Sequence, residues 1–192
     1  SSIIVTGTSL AAEPSRTATL EALSIAKKNN LPIILDIDYR PYTWRSAEEA
    51  STIYLKAATA SDIVVGNDDE FAVMAGDYQE GIHLAKRLSE STASIVIYKM
   101  GEKGSITFSE GKKIMTGIFE VDALKPTGAG DAFMGVFISS LLNKKSIKDS
   151  VIYSSAAAAM VVTRVGCSPA MPNYEELELF VKENTIIKFK ES

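Results

Sequence analysis

The sequence predicts an α/β fold on a mainly parallel sheet, with one β-hairpin towards the C-terminal side. Two patterns carry that reading. Short runs rich in Ile and Val, at 3–6, 32–38, 63–65 and 94–98, alternate with longer segments whose apolar residues recur every three or four positions, as in βαβ units. The run Pro32-Ile33-Ile34-Leu35-Asp36-Ile37-Asp38 is apolar without alternation until it ends in acids, as a strand covered on both faces reads.

In chain order, residues 3–6 read as a buried strand. Residues 14–29 read as a helix with Pro14 in its first turn and Leu20, Leu23, Ile25 and Ala26 on its apolar face. Ser46-Ala47-Glu48-Glu49 is a capping box that opens a helix running to about Thr59. Residues 80–91 are helical, with Ile82, Leu84, Ala85 and Leu88 inward and His83, the only histidine, on the surface. Residues 105–108 and 113–116 are strands joined by Ser109-Glu110-Gly111. A helix over 147–164 has an alanine-rich middle, Ala156 to Ala159, which admits either a close-packed helix or a flat purine. Asn173-Tyr174-Glu175-Glu176 caps a last helix, and 185–189 reads as an edge strand.

With 192 residues, 46% of them hydrophobic, the chain can bury a sizeable core, and a single domain over 1–192 is the natural count. A formal net charge of −4 argues against a general nucleic-acid or membrane-surface binder. The one cysteine, Cys167, allows no internal disulfide and suits a reducing cytosol. No segment reads as a signal peptide or as an apolar run long enough for a bilayer, so a cytoplasmic protein is expected. There is no repeat or linker, and an exposed sheet edge leaves a homodimer open.

The stretch that carries chemistry is Lys125-Pro126-Thr127-Gly128-Ala129-Gly130-Asp131-Ala132-Phe133-Met134-Gly135. It is a glycine-rich turn running into a helix whose apolar face is Ala132, Phe133, Val136, Phe137, Leu141 and Leu142. Gly128 and Gly130 leave room for a phosphate against the main chain, and the first unpaired amides of the helix point at it. An ionised Asp131 there is poorly suited to bind phosphate and well suited to take a proton from an alcohol. The alternative is a first-turn acid that only complements the helix dipole. No Lys-Ser or Lys-Thr follows the glycines, so this is not a P-loop.

Three more groups follow predicted strands, where ligands collect in open parallel sheets. In Asp36-Ile37-Asp38-Tyr39-Arg40, two acids face one way beside an arginine fork, either as a binding group or as a loop held by its own Asp–Arg pair. Asn67-Asp68-Asp69-Glu70 has the spacing of a capping box, the commoner meaning of that pattern. Lys99-Met100-Gly101-Glu102-Lys103-Gly104 is a glycine-punctuated turn.

PTGAGDAFMGVF resembles the C-terminal signature of the PfkB/ribokinase family of carbohydrate kinases. The resemblance implies a ribokinase-like fold, ATP and Mg2+ as cofactors and a sugar or sugar acid as substrate. Asp131 would then be the catalytic base, with Gly128, Ala129 and Gly130 cradling the transferred phosphate. Asn67 and Glu70 resemble the family's N-x-x-E motif, which organises magnesium and its waters. The segment 99–104 is similar to its nucleotide loop, with Lys99 in place of threonine and Gly101 and Gly104 approaching ATP. VTRVGCSPAMP resembles the adenine-pocket turn, with Gly166 and Cys167 lining the base and Ser154 on the preceding helix beside it. Asp36, Asp38 and Arg40 match a D-x-N-x-R segment at the substrate mouth, with Asp38 replacing asparagine. DIDYRPYTW resembles the branch that phosphorylates 5-dehydro-2-deoxygluconate in inositol breakdown. Lys125 stands where many members carry an aspartate associated with a monovalent-cation site, and an ammonium there could replace the ion. The match covers nearly all of this chain but only the later part of a family member, whose first strands and lid have no counterpart here. Fructokinase and 2-keto-3-deoxygluconate kinase specificities, or a non-catalytic nucleotide-binding fragment, are the alternatives. A dehydrogenase is disfavoured because no G-x-G-x-x-G follows the first strand.

Overall fold

The computed structural model describes residues 1–189. Six strands form one sheet in sequential order: β1 (Ile3–Thr6), β2 (Ile33–Asp36), β3 (Ile63–Asn67), β4 (Ile95–Lys99), β5 (Ser105–Ser109) and β6 (Lys112–Thr116). β1 to β4 pair in parallel, with Ile3 opposite Ile33, Ile34 opposite Ile63 and Ile63 opposite Ile95. The helices are α1 (Ser15–Lys28), α2 (Ala47–Ala60), α3 (Asp68–Ala75), α4 (Gly81–Ser91), α5 (Ala129–Leu142), α6 (Ile147–Val162) and α7 (Tyr174–Glu183). The chain divides into two compact units, one of Ser1–Gly101 with Ile106–Ile114, the other of Glu102–Ser105 with the chain from Met115 onward. Among the described residues no helix is long and apolar enough to cross a membrane.

In the first unit, Leu35, Val64, Val65, Val96 and Ile97 are fully buried, which is why these strands read as unbroken apolar runs. Asp62 aligns their starts. Its carboxylate accepts the Ile33 N–H at 2.7 Å, and its carbonyl accepts the Ser94 and Ile95 N–H groups at 2.7 and 3.2 Å. β1 departs from the expected buried strand. It lies at the sheet edge, so only Val5 is buried and Ile4 is 51% exposed.

α1 buries Leu23 and Ala26, three positions apart on one face, whereas Ile25 lies on the opposite side and turns to solvent. The capping box expected at 46–49 is half formed. Ser46 Oγ accepts the Glu49 N–H at 3.1 Å, but the Glu49 carboxylate binds the Arg16 guanidinium at 2.8 Å instead of returning to the Ser46 amide. That guanidinium holds the Glu49 carboxyl below its usual range and links α1 to α2. The hairpin turn at Glu110 and Gly111 has φ of 51° and 70°, the paired left-handed conformation of a tight two-residue turn.

In the second unit, α5, α6 and α7 share a core that includes Phe119, Ala132, Ala156, Ala157, Met160 and Leu177. Ala156 and Ala157 are fully buried, so the alanine run serves helix packing. α5 buries Ala132, Phe133, Met134 and Phe137. Leu142, in its last turn, is 78% exposed and does not belong to the face expected for it. Among the described residues, 185–189 form no strand and make one backbone bond, from the Ile187 N–H to the Ile118 carbonyl at 2.8 Å, and one bond does not make a ladder.

Phe71 of α3 is fully buried, its ring 5.3 Å from that of Tyr98 on β4. Phe71→Ala should destabilise the first unit by about 3–5 kcal/mol through the cavity it leaves, read as a lower urea midpoint.

Candidate active site

The strands of the first unit deliver polar groups at their C-terminal ends. Asp36 closes β2 and is 7% exposed, and the next residue, Ile37, donates its N–H to the Val65 carbonyl at 2.9 Å. Asp38 then takes a left-handed conformation, φ 37°, and pairs with Arg40 at 2.6 Å, while the Arg40 side chain stays 52% exposed. The loop is therefore held by its own Asp–Arg pair, one of the two expected forms, with half of the Arg40 side chain open to solvent.

Asn67 and Glu70 sit where β3 passes into α3. The Asn67 side chain accepts the Glu70 N–H at 2.8 Å, and Glu70 Oε2 accepts the Asn67 N–H at 2.6 Å, a complete capping box. Glu70 Oε1 also accepts the Tyr39 N–H at 3.1 Å. A carboxylate 8% exposed thus fastens the loop after β2 to the start of α3. The sequence carries the box in its spacing and no trace of the Tyr39 contact, because a backbone amide has no residue signature. Among the described residues no group of three or more His, Cys, Asp or Glu side chains could hold a metal ion.

Lys99 ends β4, and Gly101 begins a short 3-10 turn to Lys103 with φ 54°. In the second unit, Gly104 has φ 100°, and a Cβ there would lie 2.2 Å from the Thr116 carbonyl oxygen, so no side chain fits.

α5 begins at Ala129, with Gly128 ahead of it at φ 90°, a left-handed conformation that favours glycine. The Ala129 N–H bonds to the Pro126 carbonyl at 3.3 Å and the Ala132 N–H to the Gly128 carbonyl at 3.0 Å. Between them, the amides of Gly130 and Asp131 have no backbone acceptor among the described residues. Two amides without a backbone acceptor at a helix start, with the exposed Asp131 carboxylate in the same turn, are groups chemically suited to an anion and to a proton.

Gly166, at φ 92°, and the exposed Cys167 form the turn after α6. A Cβ on Gly128 would meet Val161 Cγ1 at 3.2 Å and Cys167 Cα at 3.8 Å, so cradle and turn are neighbours. Lys125 joins them, its Nζ donating to the carbonyls of Thr127 at 3.1 Å and of Gly166, with Cys167 Sγ at 3.9 Å. The turn is braced from its other side by Arg164, which reaches the Ala170 carbonyl at 3.3 Å and Glu176 at 3.2 Å. Ser154 is fully buried in α6 and spends its hydroxyl on the Ser150 carbonyl at 2.6 Å, facing no open surface in this conformation. His83 is exposed on α4.

The profile of the pfkB family of carbohydrate kinases matches residues 1–174. The chain is 42% identical over 185 residues to a 5-dehydro-2-deoxygluconokinase of Photobacterium profundum, covering 94% of this chain and 56% of that protein. A 5-dehydro-2-deoxygluconokinase of Bacillus subtilis is 38% identical over 185 residues, with the same 94% and 56% coverage. Among solved structures, the fructokinase of Vibrio cholerae O395 with fructose, ADP and calcium bound superposes with a TM-score of 0.83 at 25% identity, over 93% of this chain and 59% of that one. The fold is therefore ribokinase-like, and the chain spans a little over half the length of the curated relatives it matches.

Glu70→Ala removes an acceptor from two amides at once. It should cost about 1–3 kcal/mol and speed hydrogen exchange at Tyr39 and Asn67 while leaving the β3–β4 core amides protected.

Proposed function

We propose, since this chain belongs to the pfkB family of carbohydrate kinases, that it carries the nucleotide-binding and catalytic portion of an ATP-dependent kinase that phosphorylates a sugar-acid hydroxyl. The observation that carries this reading is the start of α5, where the free amides of Gly130 and Asp131 and an exposed carboxylate share one helical turn. The hydroxyl oxygen attacks the γ-phosphorus as Asp131 accepts its proton, the bond from the γ-phosphorus to the bridging oxygen breaks, and ADP leaves with that oxygen. Charge spread over the phosphoryl oxygens during transfer is met by the amides of Gly130 and Asp131, already oriented before reaction. Gly128 and Ala129 shape the approach, and Gly101, Gly104, Gly166 and Cys167 serve nucleotide contact.

A magnesium ion accompanying the nucleotide would neutralise phosphate charge. Asn67 and Glu70 fit such an ion only through its retained waters, because the Asn67 oxygen and both Glu70 oxygens already accept backbone amides. The relatives' shared name supports 5-dehydro-2-deoxygluconate as the substrate, and with it a place in inositol breakdown. Arg40, with half of its side chain exposed, is suited to the carboxylate of such a substrate. ADP and fructose bound to the Vibrio fructokinase support a nucleotide donor and a sugar-like acceptor. A cytosolic setting suits both ATP and a free Cys167 thiol.

The test is ADP release by the full-length protein across a panel of 5-dehydro-2-deoxygluconate, 2-keto-3-deoxygluconate and fructose. Preference for the first is expected; preference for another moves the substrate assignment, and ATP binding without sugar-dependent release removes the kinase reading. Asp131→Asn should lower kcat about 10²–10⁴-fold with ATP affinity little changed. Turnover near wild type would remove Asp131 from the role of base.

A further inference from the structure

We propose that Trp44 is a positioning residue for Arg40: it seats the far end of the loop that leaves β2, as Glu70 seats the near end, and so sets the affinity for an acidic substrate. Between the two ends the chain makes a tight arch. Pro41–Thr43 form a 3-10 turn, the Thr43 N–H and hydroxyl both donate to the Arg40 carbonyl, at 3.0 and 2.8 Å, and residues 40–43 are exposed. The direction in which Arg40 points therefore depends on where the two ends rest.

At the near end the Tyr39 N–H donates to Glu70 at 3.1 Å. At the far end Trp44 is buried, its ring 5.0 Å from that of Tyr54 on α2, with the Arg16 guanidinium over it at 5.4 Å from the ring centre. Arg16 is itself fixed, since it donates to the Leu10 and Ala11 carbonyls and to the Glu49 carboxylate, which also accepts the Arg45 N–H at 3.4 Å. The fully buried Tyr54 ring lies edge-on to Tyr39 as well, at 6.2 Å, so one residue of α2 receives both ends of the arch.

The seat is made by the rings alone. The Trp44 indole nitrogen and the Tyr54 hydroxyl are buried without a hydrogen-bond partner among the described residues, and a buried polar atom left unanswered costs stability. What the indole supplies is area and a face for the Arg16 cation. A loop free at one end would present Arg40 in many directions; with both ends fixed, a substrate carboxylate need not bear the entropy of ordering it. The consequence for substrate rests on the sugar-acid kinase reading above; the seating itself does not.

The experiment compares four forms of the full-length protein: wild type, Trp44→Ala, Arg40→Ala and the double variant. KM and kcat are measured for 5-dehydro-2-deoxygluconate and for ATP, and hydrogen exchange is followed at 39–45, with the α2 core amides as the control for folding. Trp44→Ala is expected to speed exchange at 43–45 while Tyr39 stays protected. It should raise KM for the sugar acid about 10- to 100-fold and leave kcat and the KM for ATP within about twofold. In the Arg40→Ala background the same change should raise KM no further, because a side chain that acts through Arg40 has nothing left to act on. Trp44→Phe, which keeps a ring beside Arg16 and loses only a nitrogen that binds nothing, should stay near wild type on every measure. The proposal is overturned by an unchanged KM for the sugar acid in Trp44→Ala, by an equal rise in both backgrounds, by a loss confined to kcat, or by a Trp44→Phe no better than Trp44→Ala. If Trp44→Ala does not fold, Trp44→Leu is judged by the same criteria, together with wild-type exchange, where Thr43 and Trp44 amides as fast as those of an unstructured peptide overturn the seat. If no acidic sugar yields ADP, the sugar-acid kinase reading fails while the exchange measurement still judges the seat.

Discussion

A parallel sheet covered on both faces leaves its polar work to the ends of its strands, and the first unit is arranged around that constraint. Side chains along the middle of β2, β3 and β4 are buried, so the polar ones, a carboxylate, an amide and an amine, gather at the last residues: Asp36, Asn67 and Lys99. The same burial explains Glu70. A carboxylate removed from water must have its lone pairs answered, and the Asn67 and Tyr39 amides do so while fixing the two loops that leave β2 and β3. The capping bonds occupy the Asn67 oxygen and both Glu70 oxygens, so the cap is compatible with the proposed role of these residues toward a metal only through that metal's waters.

The second unit meets a different requirement. The start of α5, proposed above as the anion cradle, is held by hydrogen bonds and packing from the elements around it. Alanines at 156 and 157 bring α6 close to its neighbours. The Val162 carbonyl, left over at the end of α6, is answered by the amides of Leu124 and Lys125, and the Gly166 carbonyl in the turn beyond it by the Lys125 ammonium. What looks like one glycine-rich motif is held from behind by the end of the following helix.

Much of this was legible in the sequence because periodicity and capping are local. The parallel strands, the alanine-rich helix, the hairpin and the start of α5 all appear where residue patterns put them. Departures arise where a distant partner decides. Glu49 leaves its capping box for Arg16, thirty-three positions earlier in the chain. Ile4 is exposed because β1 is an edge, a fact of strand order that the run Ile3 to Thr6 does not contain. Residues 185–189 look like a strand by composition but make a single backbone bond among the described residues. At the site, Asp131 and its glycines were visible as a motif, whereas the Thr127 and Gly166 carbonyls around Lys125 and the Tyr39 amide on Glu70 were not, since main-chain groups are the same in every residue.

The measurement that bears most directly on the central claim is a phosphorus NMR spectrum of the full-length protein incubated with ATP, magnesium and 5-dehydro-2-deoxygluconate. The expected result is equal growth of ADP and of one phosphate monoester resonance, with both slowed about 10²–10⁴-fold in Asp131→Asn. Growth of inorganic phosphate without a sugar ester, or ester formation undiminished in Asp131→Asn, would contradict transfer to a hydroxyl through the carboxylate at the start of α5.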